Sequence, residues 1–532
     1  MGPLAVILAV ALGLRLFELT GQSLWYDEGV SAYMTPRSFA EIASATSVDI
    51  HPPLYYWLLS LWAVPFGQGE VALRGFSVLL GTLMVWATCG LGRALGGRAV
   101  GLAAGALLAV SPLAVQYSQE VRMYALAGLL AVASSWAGLA LLRALQEDAA
   151  GRRRIVLLAV GYGLLAGALL YTHYYGTLVV AAQQLYAGLT VLTTRRWRIV
   201  PVWALASGLA VLLFLPWLPV ALRQTGYYPG LGSPQPAWAL VLDAVNVLSI
   251  GIATTRFGFR AGLAPFLGLA ALGGWRMGRE VTFLLLWLLI PIVGIVILSR
   301  SRPLYEPRFL MLVLPAWTIL VGAGLVALGG VAGRILGGSL GLPPVARQLV
   351  VVAVGVVVAG LLLIPTARSL ASYYFDPTYA RDDYRGLAQT VALREQPGDA
   401  IVLTAPGQVE IFGYYYRGRS DLFPLPLQRP IDPTDTRARL EAVGGEHDRV
   451  WLVRWAANEA DPDDLILTWL EGRGRRIGSQ QFGRVELRLY DLRATARTTL
   501  TPALITPTMG PHIPTAQMER EPRSQREPGG SG

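Results

Sequence analysis

Long apolar runs alternate with short arginine-bearing loops from residue 3 to residue 365, and then the chain changes character. Runs of about 17–25 apolar residues are long enough to cross the hydrocarbon core of a bilayer. They fall near 3–19, 71–91, 99–116, 121–144, 155–171, 175–193, 199–222, 262–275, 281–298, 309–330 and 348–365, which predicts about 11 spans. A further apolar stretch follows His51-Pro52-Pro53 and ends at Phe66. It is short and rich in Trp and Tyr, so it reads as an interfacial helix on the outer leaflet. Residues 366–495 are polar. There 382–395 and 462–472 read as helices, Ala400–Leu403 and Val450–Val453 as buried strands, and 484–490 as a half-buried strand. Residues 496–532 are rich in Pro, Thr, Gly and Arg without periodicity and read as disordered.

The expected fold class is therefore a polytopic α-helical membrane protein with a C-terminal extracytoplasmic α/β domain. Its parts are a transmembrane domain (1–365), the α/β domain (366–495) and a disordered tail (496–532). The arginines orient it. Arg93, Arg98, Arg152–Arg154, Arg195, Arg196, Arg198, Arg276, Arg279, Arg334 and Arg347 fall inside if 51–66 does not span, and outside if it does. Basic loops stay cytoplasmic. The N-terminus is then inside, and the α/β domain and the loop 20–70 are outside. The first run has no basic leader and no small-residue cleavage site, so it reads as an anchor.

Composition removes several chemistries. All 44 basic residues are Arg. Without Lys there is no P-loop lysine and no Schiff-base lysine. The single cysteine, Cys89, lies in an apolar run, which excludes a disulfide framework and a cysteine-rich metal site. The net charge of +10 sits largely in loops between spans, so it is no nucleic-acid signal.

Candidate chemistry gathers at the outer face. Ser23-Leu-Trp25-Tyr26-Asp27-Glu28-Gly29 places two carboxylates beside interfacial aromatics. Adjacent helix positions face apart, so one carboxylate can address a reacting group while the other is held by a cation. Arg74, at the start of the next span, is the expected partner of Glu28, because an arginine at a bilayer edge needs one. His51 stands opposite that acidic loop. Tyr117-Ser-Gln-Glu120-Val-Arg122-Met-Tyr124 adds a carboxylate and a guanidinium at a helix start. Tyr171-Thr-His173-Tyr174-Tyr175 adds aromatics, which alone would pass for belt residues. Ser299-Arg-Ser-Arg302-Pro-Leu-Tyr305-Glu-Pro-Arg308-Phe puts basic residues outside, against the positive-inside rule, and so points to an anionic partner. No nucleotide is available on that face. A group-transfer enzyme there needs an activated donor already in the membrane, and a lipid-phosphate sugar fits.

The ordered set Trp25-Tyr-Asp27-Glu28, His51-Pro-Pro-Leu-Tyr-Tyr, Tyr117-Ser-Gln-Glu-Val-Arg-Met-Tyr-Ala-Leu126 and Tyr305-Glu-Pro-Arg308-Phe resembles membrane glycosyltransferases of the GT-C class. Within it, bacterial relatives of protein O-mannosyltransferases and of the lipid A aminoarabinose transferase are most similar. The resemblance covers about residues 1–365. It implies an inverting transfer of a sugar from a polyprenyl-phosphate donor to a hydroxyl on a protein, lipid or glycan, in the bacterial plasma membrane. It implies Asp27 as general base, Glu28 as its orienting neighbour and Glu120 as the second acidic position. A divalent cation bridging Asp27 and Glu120 is an open alternative. His51 takes the place of a donor-binding lysine in the aminoarabinose branch. The expected donor-binding set is His51, Arg74, Arg122, Tyr124, His173, Tyr174, Arg302, Tyr305 and Arg308. The competing readings are a flippase of a lipid-linked glycan and a non-catalytic envelope assembly protein.

Overall fold

In the computed structural model the apolar runs are helices, packed around one another through small residues. The described residues are 2–147, 151–227, 234–252, 263–339, 343–405, 407–428 and 430–493. The expected disordered tail and much of the outer loop 223–261 lie outside them. Helices Glu70–Gly96 and Arg98–Val110 turn back on one another at Gly97, whose φ of 88° favours glycine. They then meet closely: a Cβ on Gly101 would lie 2.4 Å from the Cys89 carbonyl oxygen. Close approach through small residues is how helices associate where no hydrophobic drive separates protein from lipid.

Among the described residues eight helices are long and apolar enough to cross a membrane, or nine if the bent pair Arg98–Val110 and Pro112–Ser118 counts as one span. That is fewer than the 11 read from hydropathy. Helix Pro3–Leu16 has 14 residues, about 21 Å at 1.5 Å per residue, because the chain leaves helical geometry at Phe17. The expected spans at 262–275 and 281–298 are helices Leu263–Met277 and Val281–Leu298, joined by a tight turn at Gly278–Glu280 and counted together as one of the eight. Glu280 in that turn accepts a hydrogen bond from Arg143 at the end of helix Tyr124–Gln146. Pro112 lacks an N–H, so the chain bends by 60° at Ser111-Pro112, and the Ser111 hydroxyl accepts from the Ala114 N–H. This bend turns the loop 119–123 back over the bundle. The interfacial stretch is a short apolar helix, Leu54–Phe66.

The last long helix, Pro344–Phe375, continues past the apolar run that predicted its end near 365. Beyond it stands a five-stranded sheet: β1 (Asp399–Leu403), β2 (Asp421–Pro424), β3 (Arg449–Arg454), β4 (Arg475–Phe482) and β5 (Val485–Asp491). The order is β2-β1-β3-β5-β4. β1 runs parallel to β2 and β3, and β5 runs antiparallel to β3 and β4. β1 is buried at every position, as a central strand covered on both faces requires. Strands β2 and β4 escaped the sequence reading because neither is a clean apolar alternation.

The sheet domain sits on the loop that follows helix Pro3–Leu16. Gly29 in helix Tyr26–Met34 packs on Ile411, and a Cβ there would lie 2.4 Å from the Ile411 Cβ. Tyr26 stacks on Trp455 with ring centroids 4.6 Å apart. The Tyr415 hydroxyl accepts from the Leu24 N–H at 2.7 Å and donates to Glu70 at 2.8 Å. Arg385 grips Glu70 with Nε at 3.1 Å and Nη2 at 2.6 Å.

Candidate active site

Helix Tyr26–Met34 begins just after the first apolar helix ends, and Glu28 reaches back to accept from the Trp25 N–H. That contact commits Glu28 to the inner face of the helix, and Asp27, one residue earlier, faces away. Glu28 is fully buried. Arg74 grips it with both prongs, Nε to Oε1 at 2.9 Å and Nη2 to Oε2 at 2.7 Å. The Val121 N–H adds a bond at 2.9 Å. Burial alone would push the Glu28 carboxyl up, but Arg74, Arg381 and these bonds outweigh it and hold it below the ordinary carboxylate range. Arg74 spends its remaining N–H groups on the carbonyls of Leu19, Gln22 and Ser23. It is thus a strut for the first loop rather than a free cation.

Asp27 is different. Its side chain is 24% exposed, and Oδ2 meets Arg308 Nη1 at 3.2 Å and Arg122 Nη2 at 3.8 Å. Arg122 also donates to the Asp27 carbonyl and to the Tyr56 hydroxyl, both at 3.3 Å. His51 Nδ1 faces Asp49 at 3.4 Å, and its Nε2 faces Arg122 Nη2 at 3.5 Å. Burial is the main cause that pushes the imidazole below its ordinary value. A neutral ring donating from Nδ1 to Asp49 must accept at Nε2. His51 therefore holds Arg122 in place, and neither ring nitrogen is spare.

His173 is set up the other way. Its Nδ1 accepts from the Tyr175 N–H at 3.2 Å, and burial first, then His51, Arg308 and Arg122, keep the ring neutral. The proton then sits on Nε2, which is buried and has no partner. Among the described residues three more buried donors around it have no hydrogen bond: the Tyr124 hydroxyl, Arg122 Nε and Arg308 Nε, the last 3.8 Å from Glu306 Oε2. The rings connect them. Tyr124 lies 6.0 Å from His173, and the Arg308 guanidinium lies 5.6 Å from the Tyr124 centroid. An unsatisfied buried donor costs about 1–3 kcal/mol. The four donors lie in one cluster beside Asp27.

Glu120, in the loop after the bend, is buried, and its Oε1 accepts from Arg381 Nη2 at 2.6 Å. Burial raises its carboxyl to about 7, with Glu28 and Asp27 adding and Arg381 and Arg308 opposing.

Not every expected residue joins this cluster. Arg302 is exposed and donates to the Gly226 carbonyl at 3.0 Å. Tyr174 turns toward helix Leu218–Tyr227, where its hydroxyl meets Gln224 and accepts from Trp217. The Tyr305 hydroxyl is spent on Asp243 at 2.7 Å. Arg381, Asp49 and Tyr56 belong to the cluster and were missed. Arg381 could have been flagged as an outer arginine, but a soluble segment rich in arginine hides it. Among the described residues no group of three or more His, Cys, Asp and Glu could hold a metal ion. Arg308 and Arg122 face Asp27, and Arg381 faces Glu120.

Residues 50–219 match the family described as dolichyl-phosphate-mannose-protein mannosyltransferase. Comparison with the curated proteins found no match. Among solved structures the fold is similar to that of ArnT from Cupriavidus metallidurans in the apo state, with a TM-score of 0.59 and 17% identity over 91% of this chain and 97% of that one. The same enzyme bound to undecaprenyl phosphate gives 0.59 and 15% over the same shares. AglB from Archaeoglobus fulgidus, an oligosaccharyltransferase in complex with an inhibitory peptide and a dolichol-phosphate, gives 0.57 and 13% over 89% of this chain and 72% of that one. The resemblance to GT-C membrane glycosyltransferases read from the four motifs is borne out by the family match and the fold. So is the expected enzyme class, dependent on a polyprenyl-phosphate sugar.

Proposed function

We propose that this protein transfers a sugar from a polyprenyl-phosphate donor to a hydroxyl acceptor at the extracytoplasmic face, with inversion and with Asp27 as general base. The observation that carries the reading is the set of buried donors without a hydrogen bond on His173, Tyr124, Arg122 and Arg308 beside a carboxylate that stays accessible. A phosphate supplies the acceptor oxygens that set lacks. The apolar tail lies along the helices, and ArnT, similar in fold, has been seen with undecaprenyl phosphate. Arg308 and Arg122 bind the phosphate as it leaves, so the departing group needs no strong acid. Asp27 takes the proton of the attacking hydroxyl, a role worth about 10²–10⁴-fold in rate. One catalytic carboxylate suffices, unlike the two of a glycoside hydrolase. Glu120 is the second candidate for the base.

The outer-face placement rests on the arginine pattern: N-terminus in the cytoplasm, Arg152–Arg154 inside, residues 366–532 outside. A C-terminal reporter active only in the cytoplasm would overturn it. A flippase should carry ionisable groups near the bilayer midplane. Here the buried Glu28, Arg74, Glu120 and Arg122 gather where loops meet helix ends. The decisive assay follows sugar transfer from a purified polyprenyl-phosphate donor by Asp27→Asn protein. Lost turnover with retained donor binding supports the reading. Full turnover in Asp27→Asn, with none in Glu120→Gln, moves the base to Glu120.

A further inference from the structure

Arg381 belongs to the short link between the last long helix and the sheet domain, in Ala380-Arg381-Asp382-Asp383. The link is held tightly. The Arg381 N–H donates to Gln22 Oε1 at 2.9 Å, and the Ser23 hydroxyl donates to the Asp382 carbonyl at 3.0 Å. The Asp382 carboxylate accepts from the Arg484 N–H at 2.7 Å and from Trp455 Nε1 at 3.1 Å, both in the sheet domain. From this fixed backbone the guanidinium enters the membrane-domain site. Nη1 donates to Glu28 Oε2 at 3.0 Å and Nη2 to Glu120 Oε1 at 2.6 Å. The planar fork thus spans two buried carboxylates that come from different loops.

The two glutamates are not equally provided for. Glu28 keeps Arg74 and the Val121 N–H if Arg381 is removed. Among the described residues Glu120 accepts a hydrogen bond from no other side chain, and its Oε2 is buried without one. A polar cavity of about 110 Å³ lies behind the fork, lined by Glu18, Gln22, Arg74, Gln119, Tyr373 and Arg381. It has room for ordered water, through which a proton can reach this cluster.

We propose that Arg381 is a positioning residue for sugar transfer: it holds the Glu120 carboxylate in place beside Asp27, and so makes the docked sheet domain part of the active site. The inference rests on the transferase reading above. The groups facing Glu120 are Arg381 from the link, Glu28 and Asp27 from the first loop, Arg308 from the loop after residue 298, and Tyr117, Tyr124 and Tyr373 from adjoining helices. Removing Arg381 takes away the contacting cation and leaves Glu28 repelling. Glu120 then ionises only at higher pH.

The test is the pH profile of transfer by the full-length protein with a polyprenyl-phosphate sugar donor. Arg381→Gln should lower turnover by about 10²-fold, as for loss of a site-organising charge. It should also move the acid limb up by about one to three pH units, the influence of a neighbouring opposite charge. Binding of polyprenyl phosphate should stay unchanged, since Arg308, Arg122 and His173 remain. Arg381→Lys, which keeps the charge but not the fork, should fall between wild type and Arg381→Gln, and it serves if the first variant does not fold. In a Glu120→Gln background Arg381→Gln should no longer displace the limb. A wild-type profile in Arg381→Gln, or loss of donor binding in place of the displaced limb, overturns the proposal. Asp27→Asn in the same assay separates the two claims. Retained turnover there refutes the base assignment, while the displaced limb is still read on Arg381 alone.

Discussion

The two faces of the helix Tyr26–Met34 carry the same chemistry in opposite states. On the inner face Glu28 is fully buried and saturated by two arginines and two backbone N–H groups. On the outer face Asp27 is partly open, with two arginines at 3.2 and 3.8 Å that are themselves short of acceptors. One carboxylate is spent on holding the loop, and the other is left for a reaction. A buried charge is tolerated only when paired and hydrogen-bonded. A general base must keep an accessible oxygen. No single environment satisfies both demands, and neighbouring helix positions, about 100° apart, supply two.

The largest expected break in this comparison is at Asp27. Asp27→Asn should cut turnover by about 10²–10⁴-fold and leave thermal stability and donor binding near wild type, measured by single-turnover transfer and melting. At Glu28 the emphasis reverses. Arg74→Ala strands a buried carboxylate, so it should destabilise the fold by about 3–5 kcal/mol, read by detergent-solubilised unfolding. The pH sign follows from the same contacts. The folded Glu28 carboxyl lies below its ordinary value of 4.5. Its stabilisation is therefore present above that value and is lost as pH falls through the lowered one. Glu28→Gln should flatten this acid slope, and an unchanged slope would mean that Glu28 is not the linked group.

Smaller effects sharpen the picture on the Asp27 side. Arg308→Ala should weaken polyprenyl-phosphate binding by about 1.5–3 kcal/mol, the worth of a hydrogen bond to a charged group. Equal affinity would remove Arg308 from the donor site. His173→Phe keeps the ring stack and deletes the Nε2 donor, so it should cost about 0.5–1.5 kcal/mol of donor affinity with little change in melting. Arg302→Ala should do least, within about 0.5 kcal/mol in either stability or binding, because this arginine is exposed and donates to a backbone carbonyl, that of Gly226, away from Asp27.

Hydropathy and arginine placement by themselves determined that the chain is a helical membrane protein with a separate α/β region, because lipid forces spans to be long, apolar and internally hydrogen-bonded. Residue order determined that Asp27 and Glu28 face apart, and an arginine at a bilayer edge called for the Glu28–Arg74 contact. Where apolar runs and hydrogen-bonding geometry part company, the sequence misled. The helix after Pro343 continues to Phe375, and two expected spans join through Gly278–Glu280. Only the tertiary structure decided which outer-face residues share a site. Arg302 and Arg308 stand in one motif and look alike in sequence, yet one meets solvent and the other Asp27. His51 and His173 differ only in what their ring nitrogens meet. Arg381, 261 residues from Glu120 in sequence, reaches it at 2.6 Å. Such contacts depend on how distant loops are brought together by packing, and no local pattern in the chain encodes them.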